Sequence, residues 1–303
     1  MTRAVVLGLA VLWDLAFAEP PTALHPVVWI GRLASLLERR APRDWPAAEL
    51  AYGALIVAAV VGAAAGTAGL VARRLERAPL PLRLALGALA LKPAFAVRAL
   101  FEAGEAVRRP LAAADLVAAR RALRGLVSRD TADLDAELVA AAAVESVAEN
   151  ASDSVVAPCL CYLVGGLPAA YAYRAANTLD AMIGRRGRYE WLGKPAARLD
   201  DLLNLVPARL TALLIAFGSE RPARAAAVAR RDHHRTASPN AGWPMSAMAG
   251  ALGVRLEKVG HYRLGDPLRP LEASDVERAA RIVRRGLALG GAATVVAAVL
   301  SAR

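Results

Sequence analysis

The sequence predicts an all-α, polytopic integral membrane protein, and three observations predict it. The 303 residues are 56% hydrophobic with a mean hydropathy of +0.36, more apolar sequence than a soluble domain of this length has room to bury. Several uncharged runs approach the length of a membrane span, about 20 residues. The excess of Lys and Arg gathers beside those runs, at Arg39, Arg40 and Arg43, at Arg73, Arg74 and Arg77, at Arg185, Arg186 and Arg188, and at Arg281, Arg284 and Arg285. The expectation is about four to six membrane helices plus amphipathic cytoplasmic helices, in one membrane-embedded domain covering residues 1–303.

A net charge of +11 and a pI near 10.5 could also signal a nucleic-acid binder. That class is set aside because the chain has no zinc-finger spacing, no RNA-binding aromatic motif and no basic helix without an apolar neighbour. Basic residues flanking membrane helices stay in the cytoplasm, which gives a multi-pass protein of the cell (inner) membrane.

Residues 4–18 are apolar apart from Asp14 and end at Glu19-Pro20-Pro21, which reads as a short, retained first membrane segment. Pro26 suits the first turn of a helix running on through Leu37, and His25 before it reads as a cap. Leu50 to Ala72 is 23 residues without a charge and is the plainest span. Arg73 and Arg74 place its carboxyl end in the cytoplasm. Residues 80–101 are apolar but carry Arg83, Lys92 and Arg98, so a helix on the membrane surface competes with a spanning one, and the surface is favoured. Leu111, Leu116, Leu123 and Leu126 recur at helical spacing in a polar setting, and a further helix starts at Asp130 or Thr131. Val155 to Tyr173 is an uncharged run broken by Gly165-Gly166 and Pro168, so a kink or a helical hairpin is expected there. Cys159 and Cys161 match neither a zinc nor a disulfide pattern and read as small core residues.

The candidate site lies between residues 145 and 209, where acids sit next to oily sequence. Ionisable groups near lipid cost free energy and so mark function by default. Glu145 and Glu149 fall on one helical face, with Asn150 and Asp153 one turn on at the helix end. Such oxygen-rich groups present Mg²⁺ ligands or general bases. Asn177 with Asp180, and Asp200 and Asp201 with Asn204, are similarly spaced; a salt-bridge ladder with Arg198 and Arg209 is the structural alternative. The segment from Ser238 to Gly250 is a turn followed by small residues that would let a backbone approach a flat ligand or a phosphate. Glu257 to Pro267 adds a polar turn. The chain has neither a G-x-x-x-x-G-K-[ST] phosphate loop nor a G-x-G-x-x-G, G-x-S-x-G or H-E-x-x-H motif.

Taken together, His25-Pro26-Val27 with Ile30-Gly31, ESVAENASDSVVAP at 145–158, AANTLDAMIG at 175–184, ARLDDLLNLVPARLTA at 197–212 and NAGWPMSAMAGALGVRLEK at 240–258 resemble the CobD/CbiB family of cobalamin (vitamin B12) biosynthesis, the adenosylcobinamide-phosphate synthases. The resemblance runs from residue 14 to the carboxyl terminus. It departs from the family at Ala18-Glu19-Pro20-Pro21, where a Gly-Asp-Pro-Pro turn is usual.

The resemblance implies a carbon–nitrogen ligase that joins (R)-1-amino-2-propanol or its O-phosphate to the propionate of adenosylcobyric acid, with ATP and Mg²⁺. Further cobalamin-pathway enzymes are implied as partners. On that reading Glu145, Glu149, Asp180 and Asp201 are catalytic, and Asp153, Asp180, Asp200 and Asp201 hold metal. Asn150, Asn177 and Asn204 accompany them, and Arg198, Arg209 and Lys258 hold phosphate. Asn240, Gly242, Trp243, Pro244 and Ser246 form a corrinoid or nucleotide wall. The active site would face the cytoplasm. The competing readings are a Mg²⁺-dependent membrane prenyltransferase, which would need two matching Asp-rich motifs that NTLD and LDDLLN do not supply, and a membrane transporter, which would need acids in mid-span.

Overall fold

Uncharged Ala, Leu and Val runs leave the backbone no better way to satisfy its polar groups near lipid than the α-helix, and the computed structural model is helical throughout apart from one hairpin. It describes residues 2–300 except 18, 44 and 186, so Ala18 of the Glu-Pro-Pro turn and Arg186 of the basic loop lie outside the described residues. In chain order the helices are α1 (Thr2–Ala16), α2 (Pro26–Glu38), α3 (Pro46–Glu76), α4 (Leu80–Leu91), α5 (Val97–Ala112), α6 (Leu116–Leu123), α7 (Ala136–Ala151), α8 (Ala157–Ile183), α9 (Lys194–Leu203), α10 (Leu205–Gly218), α11 (Pro222–Asp232), α12 (Gly242–Leu252) and α13 (Ala273–Leu300). A π-helical turn, Ser152–Val156, joins α7 to α8. Strands β1 (Arg255–Lys258) and β2 (Tyr262–Gly265) pair antiparallel.

Four stretches are long and apolar enough to cross a membrane: Pro46–Glu76, Leu80–Ala112, Ala136–Ile183 and Ala273–Leu300. Lys194–Leu203 and Leu205–Gly218 together pass the same test as a broken span. Most of α3 is uncovered by other helices, as a lipid-facing helix should be.

The chain partitions into two compact units. The first comprises residues 1–96 and 157–204, and the second residues 97–156 and 205–303. In the first, α3 packs along α8, α1 along α4, and α2 and α9 against α8. Gly53 of α3 meets the Leu192 carbonyl so closely that a Cβ could not fit. The basic loop therefore lies beside the amino-terminal third of α3, while Arg73, Arg74 and Arg77 sit at the other end. If α3 crosses the bilayer once, these two basic regions cannot flank the same face, so charge counting alone does not orient the chain.

The kink expected in α8 is present. Gly166 has φ 70° and ψ −159°, a conformation only glycine takes readily. Arg3 Nη1 donates to the carbonyls of Leu163 and Val164, at 2.9 and 2.6 Å, which the break frees from the helical ladder. His25 caps α2 as expected, its Nδ1 accepting from Val27 N at 3.2 Å.

In the second unit α10 and α13 pack together, α12 packs on α10 and α11, and α7 lies against α5, α12, α13 and β1. Two expectations change here. The helix expected from Asp130 or Thr131 begins at Ala136, capped by Asp135, whose side chain accepts from Leu138 N. Asp130 instead closes a turn onto Ala132 N, and Thr131 is fully buried with its hydroxyl donating to the Arg120 carbonyl. The polar turn after Glu257 is a β-hairpin, since Gly260 at φ 76° supplies the turn. Of the two readings of residues 80–101, the spanning one has the support of length and composition: α4 and α5, broken at Lys92-Pro93, lie in a stretch long and apolar enough to cross a membrane.

Candidate functional site

The residues singled out from sequence divide between the two units. In the second unit, α7 carries Glu145, Glu149 and Asn150, and the π-helical turn carries Asp153. Glu145 is 5% exposed. Arg129, from the loop before α7, reaches its Oε2 at 3.2 Å, and Oε1 has no hydrogen-bond partner among the described residues. A buried carboxylate oxygen without a donor is costly, and sites that keep one are commonly completed by a ligand. Asn150 Nδ2 donates to the Ser146 carbonyl at 2.9 Å, and its Oδ1 accepts from Ser154 Oγ at 3.3 Å.

The hairpin brings two further groups to this acid. Lys258 and Tyr262 are paired across the strands, and β1 packs on α7. Burial, and next the charges of Glu145 and Glu149, push the Tyr262 phenol upward, so it stays protonated at neutral pH, with its hydroxyl donating to Met245 Sδ at 3.8 Å. Arg129 and Tyr262 were not among the residues selected from sequence. A lone Arg in the loop 128–135 carries no spacing signal, and Tyr262 reaches α7 only through hairpin register.

The Asn240–Ser246 segment forms a second cluster in this unit. Trp243 stacks on His233, with ring centroids 4.0 Å apart at 24°, and the Arg209 guanidinium lies 5.0 Å from the Trp243 ring centroid. Arg209 Nη1 donates to Asn240 Oδ1 at 3.2 Å and to the Leu205 carbonyl at 2.7 Å. Gly242 packs on the His233 carbonyl where a Cβ would collide, and this close approach places the indole on the imidazole. Pro244 follows it in the first turn of α12 and is buried. Two buried atoms have no hydrogen-bond partner here, Trp243 Nε1 and Ser246 Oγ. The cluster offers a guanidinium, two stacked rings and orphaned polar atoms, which suits a planar or phosphorylated ligand.

In the first unit the Asn/Asp motifs meet. Asn177 Nδ2 donates to Asp200 Oδ1 at 3.3 Å, and Asn204 Nδ2 donates to Asp200 Oδ2 at 2.9 Å. Tyr173, 1% exposed, donates its hydroxyl to Asn204 Oδ1 at 2.9 Å. Arg174 Nη1 approaches Asn177 Oδ1 at 3.5 Å. Asp200 therefore ties α9 to α8 through Oδ1, while its Oδ2 holds Asn204 at the end of α9, which Tyr173 of α8 also engages. Asp180 and Asp201 are half-buried beside this group, and Arg198 is exposed. Asp180 Oδ1 folds over Gly184 at the end of α8, where a Cβ would displace it.

For Mg²⁺ the donor chemistry is of the right kind, hard carboxylate oxygen, but no three ligating groups converge among the described residues. That arrangement fits an ion held by one or two carboxylates together with substrate phosphates rather than an all-protein cage.

The CobD/Cbib protein family matches residues 7–283. The chain belongs to the CobD/CbiB family. Among its relatives, the cobalamin biosynthesis protein CobD of Dehalococcoides mccartyi is 44% identical over 275 residues, 89% of each chain. The probable cobalamin biosynthesis protein CobD of Thermococcus kodakarensis is 43% identical over 93% of this chain and 91% of its own. The CobD protein of Rhodobacter capsulatus is 46% identical over 84% and 82%. No solved structure shows a significant match to this CobD/CbiB chain.

Proposed function

We propose that this membrane protein acts in cobalamin biosynthesis as a carbon–nitrogen ligase, joining (R)-1-amino-2-propanol or its O-phosphate to the free propionate of adenosylcobyric acid. The product is adenosylcobinamide or its phosphate. The observation that carries this reading is the near-full-length likeness to cobalamin biosynthesis proteins. Amide formation needs an activated carboxylate, a neutral amine and a place for the departing proton. Magnesium ATP, when bound, supplies the phosphoryl group that turns the propionate into an acyl donor.

The chain's own residues take the remaining tasks. Glu145, with Oε1 open and Arg129 holding Oε2 in place, accepts a proton from the substrate ammonium. Lys258 and Arg209 bind phosphate oxygens. The Trp243–His233 stack, with Asn240 and Ser246, seats the corrinoid or the nucleotide base. Glu149 and Asp153 in the second unit, and Asp180 and Asp201 in the first, are the candidate metal-binding acids of each unit, and Asp200 holds Asn177 and Asn204 in position. Soluble, phosphorylated substrates place these groups on the cytoplasmic side of the inner membrane, where other enzymes of the pathway can exchange corrinoids with it.

The test is direct. Purified protein in detergent is incubated with adenosylcobyric acid, aminopropanol or its phosphate, ATP and Mg²⁺, and product mass is followed. A mass gain matching the amide supports the reading; no coupling in any combination removes it.

A further inference from the structure

The first unit contains a cavity of about 790 Å³ that the proposed chemistry does not use. Its walls come from α1, α2, α3, α4 and α8 and are largely apolar; Lys92 is the charged residue in the lining, with Thr67 and Tyr171 adding hydroxyls. The α3 wall runs from Val60 to Val71, entirely within the uncharged stretch of that helix. At 1.5 Å per residue this is about 17 Å, close to the depth of one leaflet of hydrocarbon, half of about 30 Å. The rim is also apolar. Phe17, Leu24, Trp29 and Leu89 border the cavity and are each 50% exposed or more. A cavity of this lining at this depth faces acyl chains rather than water.

Lys92 distinguishes the cavity from a packing fault. Its ammonium is buried at the end of α4, 2.7 Å from Glu19 Oε2 and 3.6 Å from Asp14 Oδ1, and His25 Nε2 lies 3.3 Å from the same Glu19 oxygen. An ammonium has three N–H donors. Glu19 lies within hydrogen-bonding distance of Lys92, yet the Lys92 nitrogen has no aligned acceptor among the described residues. Two carboxylates already balance its charge, so the cluster does not call for an anion. What it lacks is an uncharged acceptor.

We propose that this cavity is a lipid site: it holds one acyl chain of a membrane glycerophospholipid, whose ester carbonyl oxygen accepts a hydrogen bond from Lys92. The chain lies along α3 from Val60 to Val71. Trp13 and Trp29 both line the cavity, and amphipathic rings of this kind favour the boundary between chain and headgroup.

The probe is a phosphatidylcholine with a photoactivatable diazirine in one acyl chain, at low mole fraction in phosphatidylethanolamine/phosphatidylglycerol nanodiscs containing the full-length protein. After irradiation, labelled peptides are mapped by mass spectrometry. Labelling should concentrate on residues 60–71 and 89–93. Ala64→Phe or Ala63→Phe, which fill the cavity, should cut that labelling at least fivefold, while Leu55→Phe, on an exposed part of α3 outside the cavity, should leave it unchanged. An unlabelled ester phospholipid should compete several-fold better than its ether analogue, which lacks the carbonyl, and Lys92→Gln should erase that preference. Labelling spread evenly over α3 and α13, or unaltered by both filling variants, would mean annular lipid only and would overturn the site. Equal competition by ester and ether lipids in the unmodified protein would overturn the role of Lys92.

Discussion

Arg129 Nη2 lies 3.2 Å from Glu145 Oε2, linking the loop before α7 to the middle of that helix across 16 residues of sequence. The pair is largely out of water, with side chains 17% and 7% exposed. Removing one partner of a buried pair strands the other charge. Arg129→Met should therefore destabilise the second unit by about 2–4 kcal/mol, the lower part of the usual range because Arg129 keeps some solvent. The apparent melting temperature in detergent is the measurement.

Glu145→Gln keeps the volume and the contact with Arg129 but removes the proton acceptor. Turnover should fall by about 100-fold or more with little change in melting temperature, as expected for a lost general base. Near-normal coupling, followed by product mass, would remove Glu145 from the chemistry.

Asp200 and Asp201 are adjacent in sequence and should respond differently. Both oxygens of Asp200 accept amide hydrogens, so Asp200→Ala leaves the buried Asn204 amide and the half-buried Asn177 amide without that acceptor and should cost about 1–3 kcal/mol in all. Asp201→Ala and Asp180→Ala should abolish product formation while the protein stays folded and inserted. The contrast is read by running thermal unfolding and coupling assays on the same preparations.

Trp243 stacked on His233 predicts a binding defect. Trp243→Ala should raise KM for adenosylcobyric acid or for ATP by roughly tenfold, in line with about 0.5–1.5 kcal/mol for an aromatic pair plus the lost contact area. Trp243→Phe should recover most of it. Measuring both KM values tells which ligand uses the platform.

Asp232 gives a pH dependence that can be signed. Its side chain is fully buried. Burial disfavours the charge, but bidentate Arg231, the Gly265 N–H and the charges of Arg231 and Arg235 outweigh it, and the carboxyl is held below its ordinary value. A carboxyl depressed in the folded state adds stability that is full above its unfolded value, about 3.9, and is lost as pH falls through the lower folded value. Asp232→Asn should therefore melt earlier than the unmodified protein at pH 7, and the gap should close as the pH drops below about 4. A gap that widens in acid would contradict the assignment.

Much of this protein could be read in one dimension. The uncharged run at 50–72 is a span wherever it packs, because a helix is the structure that pairs every peptide group within a single segment. Gly165-Gly166-Pro168 specified the break in α8, and His25-Pro26 the start of α2, through local backbone rules. The acids and amides at 145–204 stood out because charge beside oily sequence is expensive. What each of them does was decided by long-range packing. Spacing pairs Asp200 with Asn204 four residues on, yet only the approach of α8 to α9 brings Asn177 onto its other oxygen. Glu145 acquires Arg129, Lys258 and Tyr262 through a loop and a hairpin with no periodic signal. Lys92, Asp14 and Glu19, scattered over nearly 80 residues, form one buried cluster because α1 lies along α4. Hydrophobic pattern records which face of an element is apolar; it does not record which other element that face meets, and the electrostatics of buried groups depend on the meeting.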